Sequence, residues 1–379
     1  MGDGNEKQKF DRRRFIKSGA SISLLAMLSP GFTGWQHDLD VPPYLNDKRH
    51  RAFDPEPLPP TRIYPPMPKA VVSVVGVRDS IEKAVREAVR AAGGLSEIER
   101  GQRVMIKPNI NGPAIRDILP GRITTNPEVV RAVIRLVKER GAYPIVGDSA
   151  AFMTEMAFYT AGFVKVCREE GAEPFPWTHS EHVRFFPKKR HWSKGFRIPV
   201  ILNEVDHLIN VPVLKNHDST YAEFTCCLKS FVGICHLEDR RMQGPNALHT
   251  KNISEKIAEL NLCAKPLINI VDATTIMVRG GPGDGIYQGD PFYKRGIWDS
   301  PNLILASRDR VACDSVALSV LKLFGAENKV TLPYVTRNVW DQVQIYYSAE
   351  LGIGQADPGM IAIEIVNVPH FDEVRANWV

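Results

Sequence analysis

Apolar and polar positions along this chain alternate between a period of two and a period of 3.6. Val71 to Val77 is a β-branched run that predicts a strand. Behind it Ile81, Ala84, Val85, Ala88, Val89 and Ala92 fall on one helical face, with Asp79 and Glu82 spaced as a capping box and Gly93-Gly94 as a stop. The same alternation repeats. Val104-Met105-Ile106 predicts a short buried strand, Asn126-Pro127 opens a helix running to about Arg140, Gly141 ends it, and Pro144-Ile145-Val146 begins the next strand. Further apolar runs cover Leu208 to Val213, Leu267 to Val271 and Leu303 to Ala306, with helical patterns over Asn252 to Ala264 and Asp309 to Phe324. Strands alternating with helices predict an α/β fold: a mostly parallel sheet with helices on both faces. The segment from Asn328 to Val379, with a last apolar strand near Met360 to Val366, is expected to pack on the same domain.

The first part of the chain breaks this pattern. Nine prolines between Val41 and Pro68, without apolar periodicity, predict an extended arm or linker over residues 32–69. Ahead of it, Asp11-Arg12-Arg13-Arg14-Phe15-Ile16-Lys17 precedes a mildly apolar stretch from Ser18 to Leu28. That order is the pattern of a twin-arginine signal over residues 1–31, which a receptor reads and lipid does not. It implies the twin-arginine translocase as a partner during export and a periplasmic or other extracytoplasmic destination. The apolar stretch is well short of the ~20 residues that cross a bilayer, so no stable membrane span is expected. Residues 70–379 are then expected to form a single α/β domain.

The formal net charge of +5 lies partly in the signal, and Lys188-Lys189-Arg190 is the local basic run of the remainder. No DNA- or RNA-binding motif accompanies it, so a nucleic-acid partner is not expected. The six cysteines include no Cys-x-x-Cys pair, which argues against a ferredoxin-type or zinc-ribbon module. Cys226, Cys227 and Cys235 lie among Phe224, Leu228, Phe231 and Ile234 and are expected to pack as small buried residues.

Candidate chemistry follows the apolar runs. Lys107-Pro108-Asn109, Gly147-Asp148-Ser149, Lys215-Asn216-His217 and Asp272-Ala273-Thr274 each come directly after one. In an open parallel sheet ligands bind beyond the carboxyl ends of the strands, so these clusters should converge. Asp and Asn at such ends also serve as ordinary caps and turns, but Lys and His are not favoured turn residues. Lys107, Lys215 and Lys229 are suited to hold an anionic group, with Asn109, Asp148 and Ser149 beside them. His217 or His249 would move a proton, oriented by Asp148 or Asp272. The partner so implied is a small anionic ligand. A metal held by His217 and His249 is an alternative, although no compact His-x-x-x-His spacing supports it, and the cofactor stays undetermined. Gly280 to Gly285 lacks the context of a phosphate-binding loop; Gly281 is expected to let backbone approach the site or close over it. Asp309 predicts an N-cap, and Asp314 one turn on is expected to act on the helix N-terminus.

Taken in order, Lys107-Pro108-Asn109, Thr125-Asn126-Pro127, Gly147-Asp148-Ser149, Val211 to His217, Thr225 with Lys229 and Gly233, His249, Val271-Asp272-Ala273, Gly280-Gly281-Pro282 and Asp309 to Asp314 resemble the DUF362 family. The likeness covers roughly Val71 to Gly325. It implies the α/β fold and this residue set but no reaction, since the family has no general assigned activity. Some relatives carry ferredoxin-type iron–sulfur modules, so beside an enzyme acting on the anion the alternatives for this chain are a metal- or iron–sulfur-linked redox or accessory protein and a non-catalytic anion-binding protein. This chain lacks that module and has Ser230 where the family usually shows Asn.

Overall fold

The computed structural model describes residues 67–112, 123–188, 191–217, 222–240, 247–248, 252–280 and 296–368. The twin-arginine motif, nearly all of the proline-rich arm, His249 and Gly281 lie outside the described residues.

β1 (Ala70–Gly76), α1 (Ile81–Ala91), β2 (Arg103–Pro108), α2 (Pro127–Glu139) and β3 (Tyr143–Val146) follow one another in strict alternation. α3 (Thr154–Thr160) and α4 (Phe163–Glu170) lead to β4 (Glu173–Pro174), and β5 (His182–Phe185) pairs with β6 (Phe196–Pro199) in a separate hairpin. β7 (His207–Val211), β8 (Val213–Asn216) and β9 (Phe224–Thr225) precede the single turn of α5 (Cys227–Ser230). α6 (Ile253–Leu260) then precedes the long β10 (Ile268–Arg279). After β11 (Ile297–Asp299) and β12 (Leu303–Ser307) come α7 (Arg310–Glu327), α8 (Pro333–Thr336), α9 (Val343–Glu350) and β13 (Ile361–Val366).

The main path of the large sheet runs β13-β1-β12-β10-β7-β2-β3-β4. Neighbours are parallel throughout, except that β12 runs antiparallel to both β1 and β10. The expected α/β sheet is therefore present and mostly parallel. Its helix boundaries follow local chemistry. Asn126 accepts from the Glu128 amide at 3.0 Å with Pro127 opening α2, and Asp309 accepts from the amides of Val311 and Ala312 at 2.9 Å each. The cap of α1 differs from expectation by one residue. Ser80, in extended conformation, accepts from the Lys83 amide, while Asp79 pairs with the Lys83 ammonium at 2.9 Å.

Two strand ends also differ from expectation. The run from Leu208 to Val213 is two strands, because Pro212 has no N–H to continue the ladder; β8 departs there to pair with β10 and β9. Asp272, Ala273 and Thr274 lie inside β10 rather than beyond it. β10 continues because it exchanges partners, meeting β7 at Ile268 and Asn269 and β8 from Asp272 to Met277.

Alternation along the strands divides the core between two faces. Val104, Ile106, Ile209, Val211, Ile268, Ile270, Ile304 and Ala306 pack with α1, α2, α3 and α4. Met105, Val271 and Leu305 pack with the buried residues of α5, α6 and α7. On this second face the pattern is interrupted at one level. Lys107, Asn210, Asn269 and Ser307 are direct register partners on β2, β7, β10 and β12, all fully buried. Asn210 donates to Asn269 Oδ1 at 3.0 Å, Asn269 to the Ser307 carbonyl at 3.1 Å, and Ser307 Oγ to the Val71 carbonyl at 2.6 Å. Among the described residues no helix is long and apolar enough to cross a membrane.

Replacing Asn269 by Ala leaves Asn210 and the Ser307 carbonyl short of a partner in a dry interior. The expected loss is about 2–3 kcal/mol of folding free energy, read from urea denaturation of the variant against the parent. A loss below about 0.5 kcal/mol would show that this level of the sheet is not held by its polar ladder.

Candidate functional site

The ladder ends in an ion pair. The Lys107 ammonium lies 3.0 Å from Asp148 Oδ1, donates to Ser230 Oγ at 3.0 Å and to the Pro108 carbonyl at 3.2 Å, and sits 5.6 Å from the Trp177 ring centroid. Ser230 in turn donates to Asn210 Oδ1 at 2.9 Å and so bridges the pair to the ladder. Asp148 Oδ2 accepts from the Ile110 amide at 2.9 Å. Burial pulls Lys107 below its ordinary value and pushes Asp148 above its own, and in each case the partner charge opposes the shift. Gly233 and Gly147 make room for this centre. A Cβ at Gly233 would overlap Asp148 Oδ1 and come within 3.2 Å of the Lys107 ammonium, and one at Gly147 would meet the Met105 sulfur at 2.7 Å.

Arg240 enters beside the pair. It is buried, donating to Ser149 Oγ at 2.6 Å and to the Ala150 carbonyl at 3.1 Å, while Ser149 Oγ donates to the Gly233 carbonyl at 2.8 Å. No carboxylate of the described residues is within ion-pair distance of its guanidinium.

Lys215 and Lys229 have no such matching. Lys215 is 2% exposed on β8, directly opposite Thr225 of β9, whose buried Oγ1 has no hydrogen-bond partner among the described residues. Burial lowers Lys215 to about 7, and the Lys229 charge pushes in the same direction. Lys229, on α5, is itself lowered to about 7 by burial and by Arg240. Neither ammonium has an ion-pair or hydrogen-bond partner among the described residues. The neighbouring Asn216 Oδ1 is likewise buried and unmatched, its amide nitrogen donating to the His217 and Glu223 carbonyls at 2.9 and 3.2 Å. His217, two residues beyond Lys215, is buried and its amide donates to the Glu223 carbonyl at 3.0 Å.

Of the remaining expected site residues, Asn109 is structural in its contacts. Its amide donates to Thr125 Oγ1 at 2.8 Å, and Thr125 Oγ1 donates to the Val211 carbonyl at 2.6 Å. Asp272 accepts from the Asn126 amide at 2.7 Å and from the Thr274 amide and hydroxyl at 3.1 and 2.7 Å. It ties β10 to the start of α2, and burial raises it to about 6. No contact places it against His217.

A second buried cluster joins Cys226, Cys227 and Asp314, with ligand-type atoms within 4.8 Å of one another. Asp314 lies in α7, yet it caps a different helix. Its two oxygens accept from the amides of Cys227 and Leu228 at 2.6 and 3.2 Å, at the start of α5. Burial pushes both thiols upward, so the cysteines stay protonated and pack as small apolar residues among Phe224, Leu228 and Phe231. Separately, a cleft of about 650 Å³ opens at the amino ends of β1, β7 and β10, lined among others by Met67, Cys263, Pro266 and Ile353. It carries none of the candidate residues.

Sequence reasoning missed Arg240, Ser230 and the asparagine pair. Asn210 and Asn269 had left a signal, since each is a lone amide inside an apolar strand run. Arg240 sits in a loop-rich stretch with nothing local to distinguish it from a solvated arginine.

The family model described as a domain of unknown function, DUF362, matches residues 104–319 and so spans every site residue named above. A thylakoid-associated protein of Synechocystis sp. is 27% identical over 248 residues, covering 64% of this chain and 71% of that protein.

Lys215 provides a direct test of the electrostatics. Between about 7 and its ordinary 10.5 the unfolded chain holds a proton that the folded chain releases, so stability rises with pH across that window and the penalty is complete below it. Lys215→Met removes the penalty. Its melting temperature should exceed that of the parent at pH 6, by the equivalent of a few kcal/mol, with the difference shrinking towards pH 10. A variant less stable than the parent at pH 6 would mean that the ammonium already has a counter-ion.

Proposed function

The chain belongs to the DUF362 family, and on that footing we propose that its site takes a small organic anion and acts on it as an enzyme. One observation carries the reading: Lys107, Lys215 and Arg240 are buried and Lys229 is half-buried beside them, and among the described residues Asp148, already held by Lys107, is the one acidic group in ion-pair contact with any of the four. Unmatched buried cations are costly to the folded state, and a ligand carboxylate or phosphate supplies the missing charge. In the proposed division of labour Lys229 and Arg240 attract the anion, and Lys107 with Asp148 forms the rigid wall. Lys215, close to neutral pH, exchanges a proton. His217, two residues along the same extended segment, is the second proton carrier. A metal site built on His217 and His249 has less support, because the buried charges nearby are cations, which repel a metal ion.

The proposal extends to location. The Arg12-Arg13-Arg14-Phe15 motif supports export of the folded protein by the twin-arginine route, and a thylakoid-associated relative accords with a site of action at or beyond a membrane.

Thermal unfolding of the full chain with oxalate, malonate and inorganic phosphate tests the anion reading. At least one anion should raise the melting temperature by several degrees, and Lys229→Met should abolish most of that rise while leaving the circular dichroism spectrum unchanged. Failure of all three anions at millimolar concentration, in protein that is otherwise folded, would overturn it.

A further inference from the structure

We infer that Lys215 is a nucleophile that captures a carbonyl, and that the anion bound here is a 2-oxo acid held as an imine on its ammonium-derived nitrogen. The inference rests on the anion site proposed above and goes one step further, from charge to reaction class.

The argument starts from what an amine needs in order to attack a carbonyl. It must be neutral, unencumbered by a carboxylate, and held where water does not compete. Lys215 is 2% exposed and meets no acidic side chain among the described residues. A carboxylate beside it would fix the charged form; instead the neighbouring charge is Lys229, which favours the free amine. The protein thus maintains a lysine that loses its proton near neutral pH, at some expense in stability, and next to it a cation that keeps attracting anions.

Position then selects the carbonyl compound. Lys215 and Thr225 are direct register partners on antiparallel β8 and β9, so their side chains leave the same face of that ribbon. Thr225 Oγ1 is buried without a partner among the described residues, which leaves a hydroxyl free to donate to an oxygen at the reacting carbon. A molecule that meets Lys215 with its carbonyl and Lys229 with its charge has the two groups close together. A 2-oxo acid has them on adjacent carbons.

The step is balanced without any redox partner. The Lys215 nitrogen lone pair forms the C–N bond, the carbonyl π pair moves to oxygen, and proton transfer from nitrogen to oxygen gives a carbinolamine. Loss of the oxygen as water leaves the C=N bond. The iminium withdraws electrons from the neighbouring carbons, which suits the site to making or breaking a bond next to the former carbonyl.

The test incubates the purified full chain with pyruvate and sodium cyanoborohydride and maps the product by peptide mass spectrometry. One reduced adduct is expected, located at Lys215, formed with a rate that rises through about pH 7 and suppressed by excess oxalate, which has the charge but no ketone. Lys215→Arg should retain oxalate stabilisation and lose the adduct. Oxalate binding without any adduct at Lys215 overturns the imine and leaves the anion site standing; loss of both overturns the two together. Should Lys215→Arg fail to fold, the peptide map of the parent protein still decides, since modification spread over surface lysines and absent from Lys215 is also a refutation.

Discussion

The buried ion pair between Lys107 and Asp148 is the constraint around which this molecule is arranged. An ammonium at the end of a central strand cannot rest in a dry interior without a counter-charge and hydrogen-bond acceptors. Asp148 comes from the adjacent strand end, the Pro108 carbonyl from its own chain and Ser230 from the turn above the sheet. Through Ser230 the requirement passes to Asn210, then to Asn269 and Ser307, so that four neighbouring strands are locked in register by one line of polar contacts. A one-residue slip of any of these strands would turn its polar member into the opposite, apolar face.

Against this matched pair, the unmatched lysines stand out as a different kind of feature. Both sets are pulled towards neutrality by the loss of water. For Lys107 the Asp148 charge opposes that pull, whereas the Lys229 charge adds to it at Lys215. A site that costs stability when empty and regains it when filled is what the proposed anion-binding centre requires of them.

The geometry of that centre depends on the irregular parts of the sheet. Pro212 divides one apolar run into two strands, and β10 leaves β7 to follow β8. Lys215 therefore projects from a small ribbon with β9 rather than from the main path of the sheet. Asp314 fixes the turn that carries Lys229 by capping α5 from a distant helix, and Asp272 does the same for the start of α2. The carboxylates that looked available for chemistry are thus largely engaged in holding backbone amides.

Local patterns by themselves determined the α/β class, the succession of strands and helices, the caps of α2 and α7, and the placing of Lys107, Asp148, Ser149 and Lys215 near strand ends. These properties depend on side-chain periodicity and on contacts between near neighbours, both of which are written in short segments. Only the tertiary structure decided that β12 runs against its neighbours, that Asp272 lies within a strand, that Asp314 serves another helix and that Arg240 belongs beside Asp148. Each of those depends on a partner many residues away. The same is true of charge: a lysine in a sequence is a cation, and whether it is matched, and so whether it is scaffold or chemistry, is set by which side chains the fold brings within reach.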